Sequence, residues 1–136
     1  MKNKCKLYSK LYNIGIFKKY IVNKIISSNN SRNIYFFAKN VKNLDNTHLS
    51  LLVDKLVETS KGYTLLSFVK NIDLDLNNIN KISKAISKIS NPKIVYEYYN
   101  YVKPKDEKIV EDITDRIIKS WDPEYIYLFA KKISES

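Results

Sequence analysis

The chain has one cysteine and one histidine, Cys5 and His48. A zinc site built on Cys and His needs several such ligands, and an internal disulfide needs two thiols. Neither can be assembled within this chain. His48 stands in DNTHLSLL at the start of an amphipathic stretch, where helix capping or contact with solvent is the expected role. Cys5 has no histidine nearby to activate it as a nucleophile. The two glycines, Gly15 and Gly62, stand far apart, so no glycine-rich loop can cradle a phosphate. Asp112 and Asp115 in DEKIVEDITDR are three residues apart and could share one helix face, as a carboxylate pair would have to. Lys108 and Arg116 are interleaved with them, so an ion-paired outer face is expected instead. On this reading the chain is not an enzyme, and no metal or cofactor is expected.

Charge and aromatic content are what remain. The formal net charge is +10, and it is unevenly placed. Residues 1–44 hold ten Lys or Arg and no acid, while residues 45–136 hold 14 basic and 14 acidic residues, which cancel. Such an excess attracts a phosphate backbone or an acidic protein surface. The abundance of Lys, Asn, Ile and Tyr, with only Arg32 and Arg116 as arginines, fits an AT-rich coding sequence. That bias explains many lysines but not missing acids, because Asp and Glu codons are open to such genomes too. Lys6, Lys10, Lys18, Lys19 and Lys24 interrupt every apolar run near the start. No signal peptide or membrane span is therefore read, and the expected compartment is the cytoplasm, or the host cytoplasm for a viral product.

Positioning falls to a repeat. Hydrophobic residues make up 44% of the 136, with only 2 Gly and 3 Pro, which supports a core and favours helices over turn-rich sheet. Four segments align: NIYFFAKNV (33–41), TLLSFVKNI (64–72), IVYEYYNYV (94–102) and YIYLFAKKI (125–133), with starts 31, 30 and 31 residues apart. Their second, fifth, sixth and ninth positions are apolar, the i, i+3, i+4, i+7 spacing of one helix face. Phe37, Phe68, Tyr98 and Phe129 share one position in this register and are expected in equivalent interior places. Asn91-Pro92 and Asp122-Pro123 set an N-cap before a proline at the first helical position. Second amphipathic segments lie between these A helices, at 48–60, 78–90 and 107–120.

The predicted fold is all-α: one short right-handed α-solenoid of helix–turn–helix units about 30 residues long, with seven to eight helices. A single domain would span 1–136. Residues 1–30 would form basic capping helices broken near Gly15, residues 31–60, 61–90 and 91–121 three repeats, and residues 122–136 a last A helix.

The pattern YIYLFAK…I, a B helix, then NP or DP before the next aromatic helix resembles the HEAT-like helical repeats of hypothetical proteins in low-GC bacteria, their phages and some large viruses. The resemblance covers roughly residues 30–136. TLLSFVKNI and IVYEYYNYV depart from it, lacking the first aromatic and the alanine respectively. It implies a solenoid architecture, no catalytic residue and no common ligand. With the small size, it implies a phage or mobile-element product that blocks a host factor.

The register also singles out candidate contacts. Tyr99 and Tyr101 stand where other copies carry Ala or Val and Asn or Lys. With Tyr96 and Tyr98 they spread around much of one helix and cannot all face one core. Tyr101 is expected to be exposed as an interface anchor or to lie over the adjacent B helix. The seventh position gives Lys39, Lys70, Asn100 and Lys131, a row that Lys18, Lys19 and Lys24 could extend. Stacked copies would set such lysines roughly 8–10 Å apart, as a positive strip or simply a solvated outer face. The expected partner is a protein with an acidic surface. The alternative is a nucleic acid gripped by its phosphate backbone, which the scarcity of arginine weakens. Residues 4–28 could also lie on an anionic membrane, but their apolar face is needed to cap the stack. A homodimer through residues 122–136 would cover the last A helix.

Overall fold

The computed structural model describes residues 2–135. Among the described residues there are nine α-helices and no β-strand: α1 Lys2–Asn13, α2 Lys18–Ser27, α3 Ser31–Asn40, α4 Asn46–Thr59, α5 Tyr63–Asn71, α6 Leu76–Ile86, α7 Pro92–Val102, α8 Glu107–Lys119 and α9 Pro123–Ser134. The count is above the expected seven to eight, although the two helices before residue 30, broken near Gly15, are themselves as expected. Gly15, at φ +82°, and Phe17, at φ +54°, turn the chain between them. Helix α6 ends at Ile86, not at Ser90. The chain turns there through Ser87, and the residue before Pro92 is held extended, at φ −82° and ψ 108°.

Side-chain caps fix most of the helix starts. Asn30 accepts from the amides of Arg32 and Asn33, Asp75 from Asn78, and Asp106 from Lys108 and Ile109. Asn91 and Asp122 cap helices that begin with Pro92 and Pro123, as the sequence predicts.

The chain divides into two compact units, residues 1–74 and 75–136. In the first, α3 packs against α1 on one side and α5 on the other, while α2 packs against α4. This alternation of an A layer with a B layer is what stacked hairpins produce. Ile34, Phe37, Leu52, Val53, Leu65 and Phe68 are fully enclosed and form the core of this unit. Polar bonds sew α1 to α3. The Ser9 hydroxyl donates to the carbonyls of Cys5 (2.8 Å) and Phe37 (3.3 Å), and Asn13 donates to the Asn40 carbonyl (3.1 Å) and accepts from the Lys42 amide (2.9 Å).

In the second unit, α7 packs against α9 and α6 against α8, with α8 also contacting α7 and α9. Ile82, Ile86, Val95, Tyr98, Ile113 and Ile117 are fully enclosed. Phe37, Phe68, Tyr98 and Phe129, which share one register position in the sequence, are all buried. The Tyr98 hydroxyl lies 2.6 Å from the Ser83 hydroxyl and donates to the Ile79 carbonyl at 3.3 Å, tying α7 to α6. Burial pushes its pKa up to about 12.

Candidate functional site

The division into two units is also a division of charge. Residues 1–74 hold 13 basic and 4 acidic residues, a formal +9, against 11 and 10 in residues 75–136, a formal +1. The four acids of the first unit are Asp45, Asp54, Glu58 and Asp73, so α1, α2, α3 and α5 carry none.

The turn between α1 and α2 is the most exposed apolar feature of this basic unit. Ile14 and Phe17 are 68% and 69% exposed, and Tyr20 also faces solvent. Phe17 is the N-cap of α2 and sits in the left-handed region (φ 54°, ψ 36°), which crowds the Cβ of any L-residue. Its ring meets Tyr20 edge-on at 6.5 Å, and the Lys24 ammonium lies 5.5 Å from the Tyr20 ring centre. Lys19 and Lys24 are exposed on the helix that follows. An uncovered aromatic pair fringed by cations is the composition of an interface anchor.

Lys18 behaves differently from its neighbours. It is half-buried, with its ammonium 5.0 Å from the Tyr12 ring centre and 3.7 Å from Asp45. The Tyr12 hydroxyl accepts from the Asp45 amide at 3.1 Å and lies 2.7 Å from Nδ1 of His48. Which of the two groups donates in the His48 contact depends on the imidazole tautomer. Burial is the first cause that raises the Tyr12 phenol above its ordinary pKa. His48 is thus a half-buried partner of α1 instead of a capping or solvent-facing residue. The cluster joins α1, α2 and the start of α4.

The remaining residues singled out by the sequence are scattered. Lys39 is exposed, with its ammonium 5.7 Å from the Tyr35 ring centre, and Lys70 is exposed on the adjacent α5. Lys131 is exposed on α9, and Tyr101 is 53% exposed on α7. Tyr99 is not an interface residue as placed. It is only 8% exposed, with its ring packed edge-on against Phe129 at 5.0 Å. Its register position points inward, and a tyrosine there fills core that alanine would leave empty. Asp112 pairs with Lys108 at 3.2 Å, whereas Arg116 donates to the Ser87 carbonyl at 3.1 Å, pinning α8 to the end of α6.

A second feature of the first unit was not visible in the sequence. A groove of about 230 Å³ between α3 and α5 is lined by Arg32, Tyr35, Phe36, Tyr63, Thr64 and Ser67. Within the second unit, a cavity of about 540 Å³ opens between α7, α8 and α9, with Tyr99, Val110 and Ile133 in its wall and Lys103 and Lys132 beside them. Among the described residues, no group of three or more His, Cys, Asp or Glu is placed to hold a metal ion. No described helix is long and apolar enough to cross a membrane.

These features define an all-helical protein of stacked hairpins whose positive charge gathers in its first unit, while exposed aromatics occur in both units. The chain matches no family model, no curated protein and no solved structure.

Proposed function

We propose that this chain is a non-enzymatic binding module that docks its basic first unit onto an acidic protein surface. The α1–α2 turn is the anchor. Phe17, with Ile14 and Tyr20, enters an apolar pocket of the partner, and Lys19 and Lys24 face carboxylates around it. Lys18, held by Asp45 and Tyr12, steadies the turn instead of reaching outward.

One observation carries the reading: Phe17 is strained and uncovered at once. A left-handed backbone at a bulky residue costs roughly 1–2 kcal/mol, and an exposed ring recovers little of that through packing. A partner that buries the ring recovers it, at about 1.5–3 kcal/mol for a fully buried phenylalanine. The acid-free helices around it would speed encounter with an acidic partner.

The test uses the full chain as bait in a nuclease-treated extract of the source cells. The native bait should retain one stoichiometric acidic protein, released by salt. Phe17→Gly, and Lys19→Gln with Lys24→Gln, should each lose it. Retention that vanishes with nuclease, or that survives Phe17→Gly unchanged, overturns the proposal.

A further inference from the structure

The groove between α3 and α5 has a chemistry that the α1–α2 turn does not use. Its two walls come from parallel stretches of neighbouring helices. Arg32, Tyr35 and Lys39 fall at i, i+3 and i+7 on α3, and Tyr63, Ser67 and Lys70 at i, i+4 and i+7 on α5. Each helix thus offers an aromatic ring and a cation along one stripe. Tyr63 is 60% exposed at the mouth. The chain has two arginines, and they have different fates. Arg116 is spent inside the second unit on the Ser87 carbonyl. Arg32 is exposed beside the groove, and among the described residues nothing binds its guanidinium. No carboxylate lines the groove, and α1, α3 and α5, which make up this layer, contain no acid.

We infer that this groove holds one base of a single-stranded nucleic acid, stacked on Tyr63, with Arg32 on the adjoining phosphate. Size favours one flat ring. A volume of about 230 Å³ is below the range of roughly 300–1,000 Å³ that encloses drug-sized ligands. Chemistry favours a nucleobase over an acidic peptide. Aromatic faces accept any base by stacking, while the hydroxyls of Thr64 and Ser67 supply polar partners for a base edge. A planar guanidinium forks onto a phosphate better than an ammonium does. A paired duplex keeps its base faces covered, so only an unpaired strand can present one to Tyr63. Lys39 and Lys70 lie two turns further along the same stripes, where the strand's next phosphates would pass. This site is separate from the protein-docking turn and does not depend on it.

The experiment is fluorescence anisotropy of the full chain with a labelled oligothymidine and with the corresponding duplex, each at several salt concentrations. The single strand should bind more tightly than the duplex. Tyr63→Ala should weaken it about 5- to 150-fold, the range of one lost base stack. Tyr63→Phe, which keeps the ring, should restore most of the affinity, a result that a general charge effect would not give. Arg32→Gln should lower the slope of log affinity against log salt by about 0.7, the value for one phosphate on a single strand. Phe17→Gly should leave oligonucleotide affinity unchanged. Tyr63 is exposed, so its variants are expected to keep the native circular dichroism spectrum, and that is checked first. Equal affinity for single strand and duplex, an unaffected Tyr63→Ala, a Tyr63→Phe as weak as Tyr63→Ala, or equal competition by polyglutamate would overturn the assignment.

Discussion

Replacing Phe17 by glycine should leave the protein about as stable as it is now, although the same change at most aromatic positions is severely destabilising. Three contributions decide this. Glycine relieves the left-handed strain at φ 54°, a gain of roughly 1–2 kcal/mol. It adds backbone freedom to the unfolded chain, a loss of roughly 0.5–1 kcal/mol. It also removes a ring that is 69% exposed, so only about a third of the roughly 1.5–3 kcal/mol of a buried phenylalanine is at stake. The sum lies within about 1 kcal/mol of zero. Alanine is the informative control, because it loses the ring and keeps the strain. Phe17→Gly should therefore be more stable than Phe17→Ala by about 0.5–1 kcal/mol, reversing the usual order of the two residues beside a helix. Urea unfolding followed by circular dichroism reads both, and in a thermal scan of 136 residues the gap should be a few degrees. If Phe17→Gly loses more than about 2 kcal/mol, or falls below Phe17→Ala, the ring is held by its own chain and is not a free anchor.

Tyr12→Phe removes the hydroxyl that both the Asp45 amide and His48 use, and should cost about 1–3 kcal/mol in urea unfolding, whereas the exposed Tyr101→Phe should cost under about 0.5. Tyr98 stays neutral in the folded state up to about pH 12, while an unfolded tyrosine ionises near 10. The folded form thus holds the extra proton between those values, and the stability Tyr98 supplies, on the order of 2–3 kcal/mol, is lost as pH rises through that window. In an alkaline absorbance titration Tyr98 should ionise among the last of the eleven tyrosines, and Tyr98→Phe should remove that late step. Combining Ser83→Ala with Tyr98→Phe should cost less than the sum of the single changes by about 1 kcal/mol, since Tyr98→Phe alone strands the buried Ser83 hydroxyl and Ser83→Ala alone leaves the Tyr98 hydroxyl only the Ile79 carbonyl.

The helices were legible because each A and B segment repeats its apolar residues at helical spacing, and because Asn91-Pro92 and Asp122-Pro123 mark two starts within the sequence itself. Phe37, Phe68, Tyr98 and Phe129 could be assigned to the interior on the same ground. Helix α1 was harder, since one of its buried residues is Ser9, a polar residue that no apolar pattern selects. It is buried because it donates to carbonyls of α1 and α3. The place of His48 is hidden for a related reason: its partner, Tyr12, lies 36 residues away, beyond the reach of any local pattern. Tyr99 shows the opposite limit. A residue that breaks a repeat can do so by filling space inside, and only packing against Phe129 distinguishes that from exposure. Phe17 carries no mark in the sequence of its special place: the turn that follows Gly15 leaves it just outside α2, strained and uncovered. The groove at Arg32 and Tyr63 joins residues 31 positions apart, and nothing in either segment alone marks it.

The most direct test of the docking proposal is site-specific photo-cross-linking from the turn itself. A photoreactive phenylalanine placed at position 17 of the full chain, and in a second version at Tyr127 as an exposed control, is irradiated in nuclease-treated extract. The proposal predicts a single major adduct from position 17, to a protein with an acidic surface, that is absent from position 127 and suppressed when Lys19 and Lys24 are glutamine. Equal labelling from both positions, or no protein adduct from position 17, would contradict it.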